Sequence, residues 1–209
     1  MSHVVPAKTS PLLRLLVLAV VVAGSAACGG KTVTRIDPSS VTDLSGRWND
    51  TDSRLVANEL IQQSLSAPWA RVYSEMHGGQ RPAVIVGSFD NRTLEHIPVG
   101  TFVRDLERAF VNSGAVRVVA SADERQGVRA EREDQQENAR ADTRARIGQE
   151  LGARYMLQGE LQAIEDQEGR EKIVYYQVDA TLVDLESNEK IWVGQHKIKK
   201  YIERSRLGW

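Results

Sequence analysis

This 209-residue chain has one cysteine and four histidines, and each shortage excludes a class of chemistry. A single thiol cannot close an internal disulfide, so no covalent bridge constrains the fold. The histidines are His3, His77, His96 and His196, and none stands at metal-ligand spacing from another. No G-x-S-x-G elbow, Walker A loop or H-E-x-x-H pair occurs. The acidic residues are plentiful, but they crowd a charged helical stretch and read as surface charge. The chain is therefore expected to be no enzyme, with no cofactor, no bound metal and no small-molecule substrate. Its 27 basic and 28 acidic residues nearly cancel, which argues against nucleic acid as a partner. Long apolar runs are scarce as well. The longest, Leu15 to Ala23, falls short of the roughly 20 residues that a spanning helix needs.

What the N-terminus does contain is an ordered signal. Met1 to Arg14 carries Lys8 and Arg14 and no acid, the apolar run follows, and Gly24-Ser25-Ala26-Ala27 leads into Cys28. A positive region, an apolar region and small residues before a cut form a secretory signal, here residues 1–27. Ser25-Ala26-Ala27-Cys28 resembles a lipobox, with Ser25 where such motifs usually carry Leu. Cys28 is then the lipid attachment site (diacylglycerol and palmitate-type chains) and the first mature residue. One acyl chain holds a protein only marginally, at about 0.8 kcal/mol per buried methylene, whereas three chains make a durable anchor. Gly29 stands where an Asp would retain a lipoprotein in the inner membrane, so the outer membrane, periplasmic face, is expected. Losing Lys8 and Arg14 with the signal takes the formal charge from -1 to -3.

Residues 28–49 are rich in Gly, Lys, Thr, Ser, Asp and Pro and read as a lipidated N-terminus and flexible tether. Residues 50–209 form a single globular periplasmic domain, long enough for a proper core. In it, Asp50 or Asp52 caps a helix to about Leu65, and a short helical stretch runs from Trp69 to Met76. Ala83 to Val86 is an apolar run of the kind buried on both faces of a sheet. Phe102, Val103, Leu106, Ala109 and Phe110 keep helical spacing up to Gly114, and Val116 to Val119 is a second strand. Ala122 to Leu151 is long, charged and helical in composition, with Thr143 restarting the helix, Ile147 and Leu151 facing the core and Gly152 closing it. Tyr155–Ala163, Lys172–Leu185 and Lys190–Ile198 read as an antiparallel three-stranded meander. The expected class is α/β, bordering on α+β: a mixed sheet of about five strands flanked by helices.

Several stretches resemble one family. Val84 to Asp90 with Asn91-Arg92-Thr93, Ile147 to Glu160, Val183-Asp184-Leu185, and Lys190-Ile191-Trp192 are similar to LpoB-type lipoproteins, activators of class A penicillin-binding proteins. The resemblance covers most of residues 48–202. It implies a fold similar to the N-terminal domain of TolB. It also implies binding to a bifunctional peptidoglycan synthase, a class A penicillin-binding protein, and thereby a part in cell wall biogenesis and cell shape. Better-known members carry a much longer linker than the roughly 20 residues here.

Within the domain, Asn91, Arg92 and Thr93 follow the first strand, where a held loop favours recognition. Equally, Asn91 can cap local backbone groups in an ordinary turn. The charged helix reads as a solvated face, Trp192 as core, and His96 as a satisfied loop residue. The competing functional reading is a structural or secretion-associated outer-membrane lipoprotein of CsgG-like or TolB-like fold. The meander is too polar for the bilayer-spanning hairpins that reading needs.

Overall fold

Reciprocal capping starts the first helix. The Asn49 side chain accepts from the Asp52 amide at 3.1 Å, and the Asp52 carboxylate accepts from the Asn49 amide at 2.9 Å. In the computed structural model, which describes residues 32–204, this helix, α1, covers Asp50–Ser66. Pro68 then breaks the chain direction before α2, Trp69–Met76. Strand β1 spans Ala83–Asn91, helix α3 Val99–Ser113 and strand β2 Arg117–Val118. Gly114 closes α3 at φ 65°, a left-handed position that suits glycine. Helix α4 is Ala122–Asn138, opened by a Ser121–Glu124 capping box. Strands β3 (Tyr155–Glu168), β4 (Glu171–Asp184) and β5 (Lys190–Glu203) follow.

The sheet runs in the order β2-β1-β3-β4-β5. Strand β1 is parallel to both neighbours, and the last three strands form the expected antiparallel meander. Along β4, burial alternates strictly: Val174, Tyr176, Val178, Ala180 and Leu182 are buried, while their alternates stay partly exposed. Helices α1 and α3 lie side by side and cover the buried face, with Val56, Leu60, Leu106 and Phe110 wholly enclosed. Each such side chain contributes roughly 1.5–3 kcal/mol by leaving water. The opposite face, carrying Tyr175, Gln177, Asp179 and Thr181, is the open face.

The chain separates into two units, Met1–Ser40 and Val41–Trp209. In the first, the described residues include a turn in which the Asp37 carboxylate accepts from the Ser39 amide at 2.7 Å. The signal sequence 1–27 and Cys28 lie outside the described residues. Among those described, no helix is long and apolar enough to cross a membrane.

Two expectations are corrected. Residues 41–49 do not all belong to a free tether. Trp48 packs edge-on against Tyr176, with ring centroids 5.5 Å apart, and Lys200 bonds to Asp43, so the body begins nearer Val41 than residue 50. The helix expected to restart at Thr143 is also absent. Residues 139–154 are turn and coil, Ile147 and Leu151 are exposed, and Gly148 takes φ 75°. A short helix forms when an apolar face docks. Here the backbone is held instead by side chains of α4: Gln136 donates to the Ala145 carbonyl, and Gln135 accepts from the Ala145 amide.

Candidate protein-interaction surface

The loop after β1 divides its three flagged residues between two jobs. A bulge between Val86 and Phe89 turns Phe89 inward, where its ring meets Phe102 edge-on at 5.1 Å. Gly159 of β3 makes room for that ring, since a Cβ there would strike Phe89 and the Asp179 carbonyl. Strand β1 therefore ends with Asn91 on the covered side. Asn91 accepts from the Thr93 amide at 3.0 Å and the Thr93 hydroxyl at 2.8 Å, and donates to the Glu95 carbonyl at 2.7 Å. The Thr93 hydroxyl also accepts from the Glu95 amide at 3.1 Å. Asn91 and Thr93 thus hold the turn.

Arg92 faces the other way. Its amide extends the ladder to the Leu161 carbonyl, while its guanidinium, about two-thirds exposed, donates to Asp90 at 3.0 Å and sits 3.9 Å from Glu160. Asp90 pairs in register with Glu160, Glu160 with Asp179, and Asp179 with Gln195, so a polar belt crosses the open face. Gln177 and Gln195 both donate to Asp179, at 2.8 and 2.7 Å. Beyond the belt, Ile164, Val193 and Tyr201 are apolar groups well exposed to solvent. This mix of aromatic, apolar and exchangeable polar groups suits a protein partner better than a small ligand.

The turn also aims Glu95 inward. Its carboxylate accepts from the buried Tyr176 hydroxyl at 2.6 Å and from the Trp48 amide at 3.2 Å. Burial, and then this bond to Glu95, push the Tyr176 phenol well above its ordinary value. The segment Asp43–Trp48, a strap, is fastened again at Lys200, which donates to Asp52 at 2.6 Å, Asp43 at 2.7 Å and the Arg47 carbonyl at 3.1 Å. Burial alone would lower the Lys200 ammonium, but the bonds to Asp43 and Asp52 outweigh it and the net shift is upward. Lys200 in turn holds the Asp43 carboxyl below its usual range. At the far end of the sheet, Arg154 clasps the buried Asp184 at 2.7 Å and reaches Glu186, fixing the β4–β5 turn.

Helix α4 buries none of its side chains. Its Arg129 and Arg132 bind Glu150 at 2.9 and 2.7 Å, and the bond from Arg129 does most to bring that carboxyl down to about 2. This ties the 139–154 loop to the helix, a solvated device as expected. Trp192 is half-buried against the core and lies over Gly194, where a Cβ would meet its ring. His96 is exposed, and His77 stacks on Tyr73. Among the described residues no cluster of potential ligands could hold a metal ion.

Comparison with known proteins places this architecture. The model of the family described as peptidoglycan-synthase activator LpoB matches residues 52–198. The chain belongs to the LpoB family. That makes it one of a family of activators, not of enzymes. Among solved structures, the LpoB C-terminal domain from Salmonella enterica is 18% identical, with TM-score 0.39, over 71% of this chain and 99% of that one. The NMR structure of Escherichia coli LpoB is 14% identical, with TM-score 0.40, over 98% and 90%. Lipoprotein GNA1162 from Neisseria meningitidis is 18% identical, with TM-score 0.36, over 60% and 88%. No curated protein matches by sequence.

The LpoB match takes in Asn91, Arg92, Thr93 and the polar belt, but neither the strap nor Lys200. Reading the sequence missed the strap network, though one signal for it existed. Trp48 stands just before the N-cap, where a large apolar residue commonly packs on the first turn. Here its indole N–H donates to Ser53 at 2.8 Å.

Proposed function

We propose that this chain is an outer-membrane lipoprotein, anchored through Cys28, that binds a class A penicillin-binding protein and raises its glycosyltransferase and transpeptidase activity. The observation that carries this reading is the family match over residues 52–198. The open face supports it. Its three long strands of 14 residues each present about 46 by 14 Å, or roughly 650 Å². That is close to the ~800 Å² that one partner contributes to a standard interface. Arg92, at one border of the belt, is the residue proposed to contact the partner, and Asn91 and Thr93 act by holding its loop.

The test is a pull-down with the periplasmic part of a class A synthase, paired with a glycan polymerisation assay. Arg92→Glu should weaken both capture and stimulation, while Arg108→Glu, on the exposed side of α3, should change neither. Absence of capture together with an unchanged polymerisation rate for the unaltered chain would overturn the reading.

A further inference from the structure

We infer that the cleft beneath the strap, at the β3–β4 end of the sheet, is a binding site for a phosphate-type anion. The cleft holds about 380 Å³ and is lined by Ser45 and Arg47 of the strap, Glu95, Arg170 of the β3–β4 turn, Lys172 at the start of β4, and Arg204 after β5. Three segments remote in sequence thus bring four basic residues to one concavity. Its volume lies within the range of small-ligand pockets.

Lys172 pairs with Glu165 at 2.7 Å, and Glu95 turns its carboxylate onto the Tyr176 hydroxyl and the Trp48 amide, two neutral donors, so the lining sets three guanidinium groups against one carboxylate and keeps a net positive charge. Among the described residues, no carboxylate pairs with the guanidinium of Arg47, Arg170 or Arg204. The Arg204 amide donates to the Arg170 carbonyl at 3.1 Å, so these two arginines are held side by side by the backbone. Clustered like charges repel one another unless an anion lies among them. Guanidinium forks match the oxygens of a phosphate, and three of them suit a group bearing more than one charge better than a lone carboxylate. Because Arg47 belongs to the strap, a bound anion would also bridge the strap to the sheet.

Two sources share this chemistry, a soluble phosphate and a phospholipid headgroup. The full chain in nonionic detergent, labelled with nitrogen-15, is titrated at low ionic strength with pyrophosphate and, separately, with dihexanoyl phosphatidylglycerol and dihexanoyl phosphatidylcholine. Saturable shifts are expected at the amides of Gly46, Arg47, Arg170 and Arg204. Pyrophosphate alone producing them marks a soluble ligand; phosphatidylglycerol doing so, and phosphatidylcholine not, marks a headgroup. Arg170→Gln and Arg204→Gln should each weaken binding about tenfold or more, the loss of a charged hydrogen bond. Arg144→Gln and Arg146→Gln, on the exposed loop after α4, should leave it unchanged. Non-saturating shifts, or equal losses from the two pairs of variants, would show general counterion attraction and overturn the proposal.

Discussion

Replacing Lys200 by alanine tests whether the strap is part of the fold. The Lys200 side chain is 10% exposed and that of Asp52 6%, whereas Asp43 is half exposed. Removing one partner of a buried pair costs ~3–5 kcal/mol, because the other charge stays buried without compensation. Asp52 keeps its capping bond to Asn49, which favours the lower end, and the Asp43 contact adds less than ~1 kcal/mol after solvent screening. The expected loss is about 3 kcal/mol, or roughly 6–12 °C in Tm for a unit of this size. Lys200→Arg should retain most of the stability. Linkage gives the sign of the pH dependence. Asp43 is lowered from 3.8, so its contribution is present above that pH and vanishes as pH falls through the lowered value. Lys200 is raised from 10.5, so its contribution is present below that pH and is lost on further rise. Differential scanning calorimetry across pH and amide exchange of residues 43–48 read both effects. An unchanged Tm, with strap amides as protected as in the parent, would refute the reasoning.

Three further outcomes are expected. Asn91→Ala removes the acceptor and donor that hold the turn and should lower stability by about 1–2 kcal/mol in urea unfolding, whereas Arg92→Ala should stay within ~0.5 kcal/mol. Gly159→Ala forces a methyl against Phe89 and the Asp179 carbonyl and should cost about 1–3 kcal/mol. At Gly127, which is open to solvent within α4, the same change should stabilise by about 0.5–1 kcal/mol, both read as Tm. Glu150→Gln should free the 139–154 loop and speed tryptic cleavage at Arg140, Arg144 and Arg146. In the parent, because Glu150 is lowered to about 2, its clasp is present above the usual carboxyl range and is lost only as pH falls toward that value.

Much of the architecture was legible because it rests on local periodicity. The alternation in β4, the helical spacing ending at Gly114, and the change of texture after Gly152 gave the element order and the meander. The strands run further than their apolar parts suggest. From Ile164 to Glu168 the hairpin is exposed on both faces, so no alternation marks it. The bulge at Val86 and Phe89 depends on Gly159, about seventy residues away in sequence, and no local pattern carries it. The charged stretch after Asn138 has the composition of a helix, yet lacks an apolar face to dock. Of the site, Asn91-Arg92-Thr93 was found as a loop at a strand end. Its division into two turn-holding residues and one outward cation required the hydrogen bonds. The strap was missed because a short polar segment containing Ser45 and Gly46 looks like a linker, and its fasteners, Glu95 and Lys200, are charged residues far along the chain.

The strap also shortens the reach of the proposed anchor. With lipid on Cys28 and the body beginning at Val41, the intervening chain is residues 29–40 rather than the longer tether the composition suggested. Those 12 residues span at most about 42 Å. Releasing the strap would add Val41 to Trp48, about 28 Å of contour, but only by breaking the Lys200 clasp and withdrawing Trp48 from Tyr176. The fold therefore opposes lengthening by some kilocalories per mole. Under the proposed function, a synthase that docks on this body would have to come within that reach of the membrane holding Cys28.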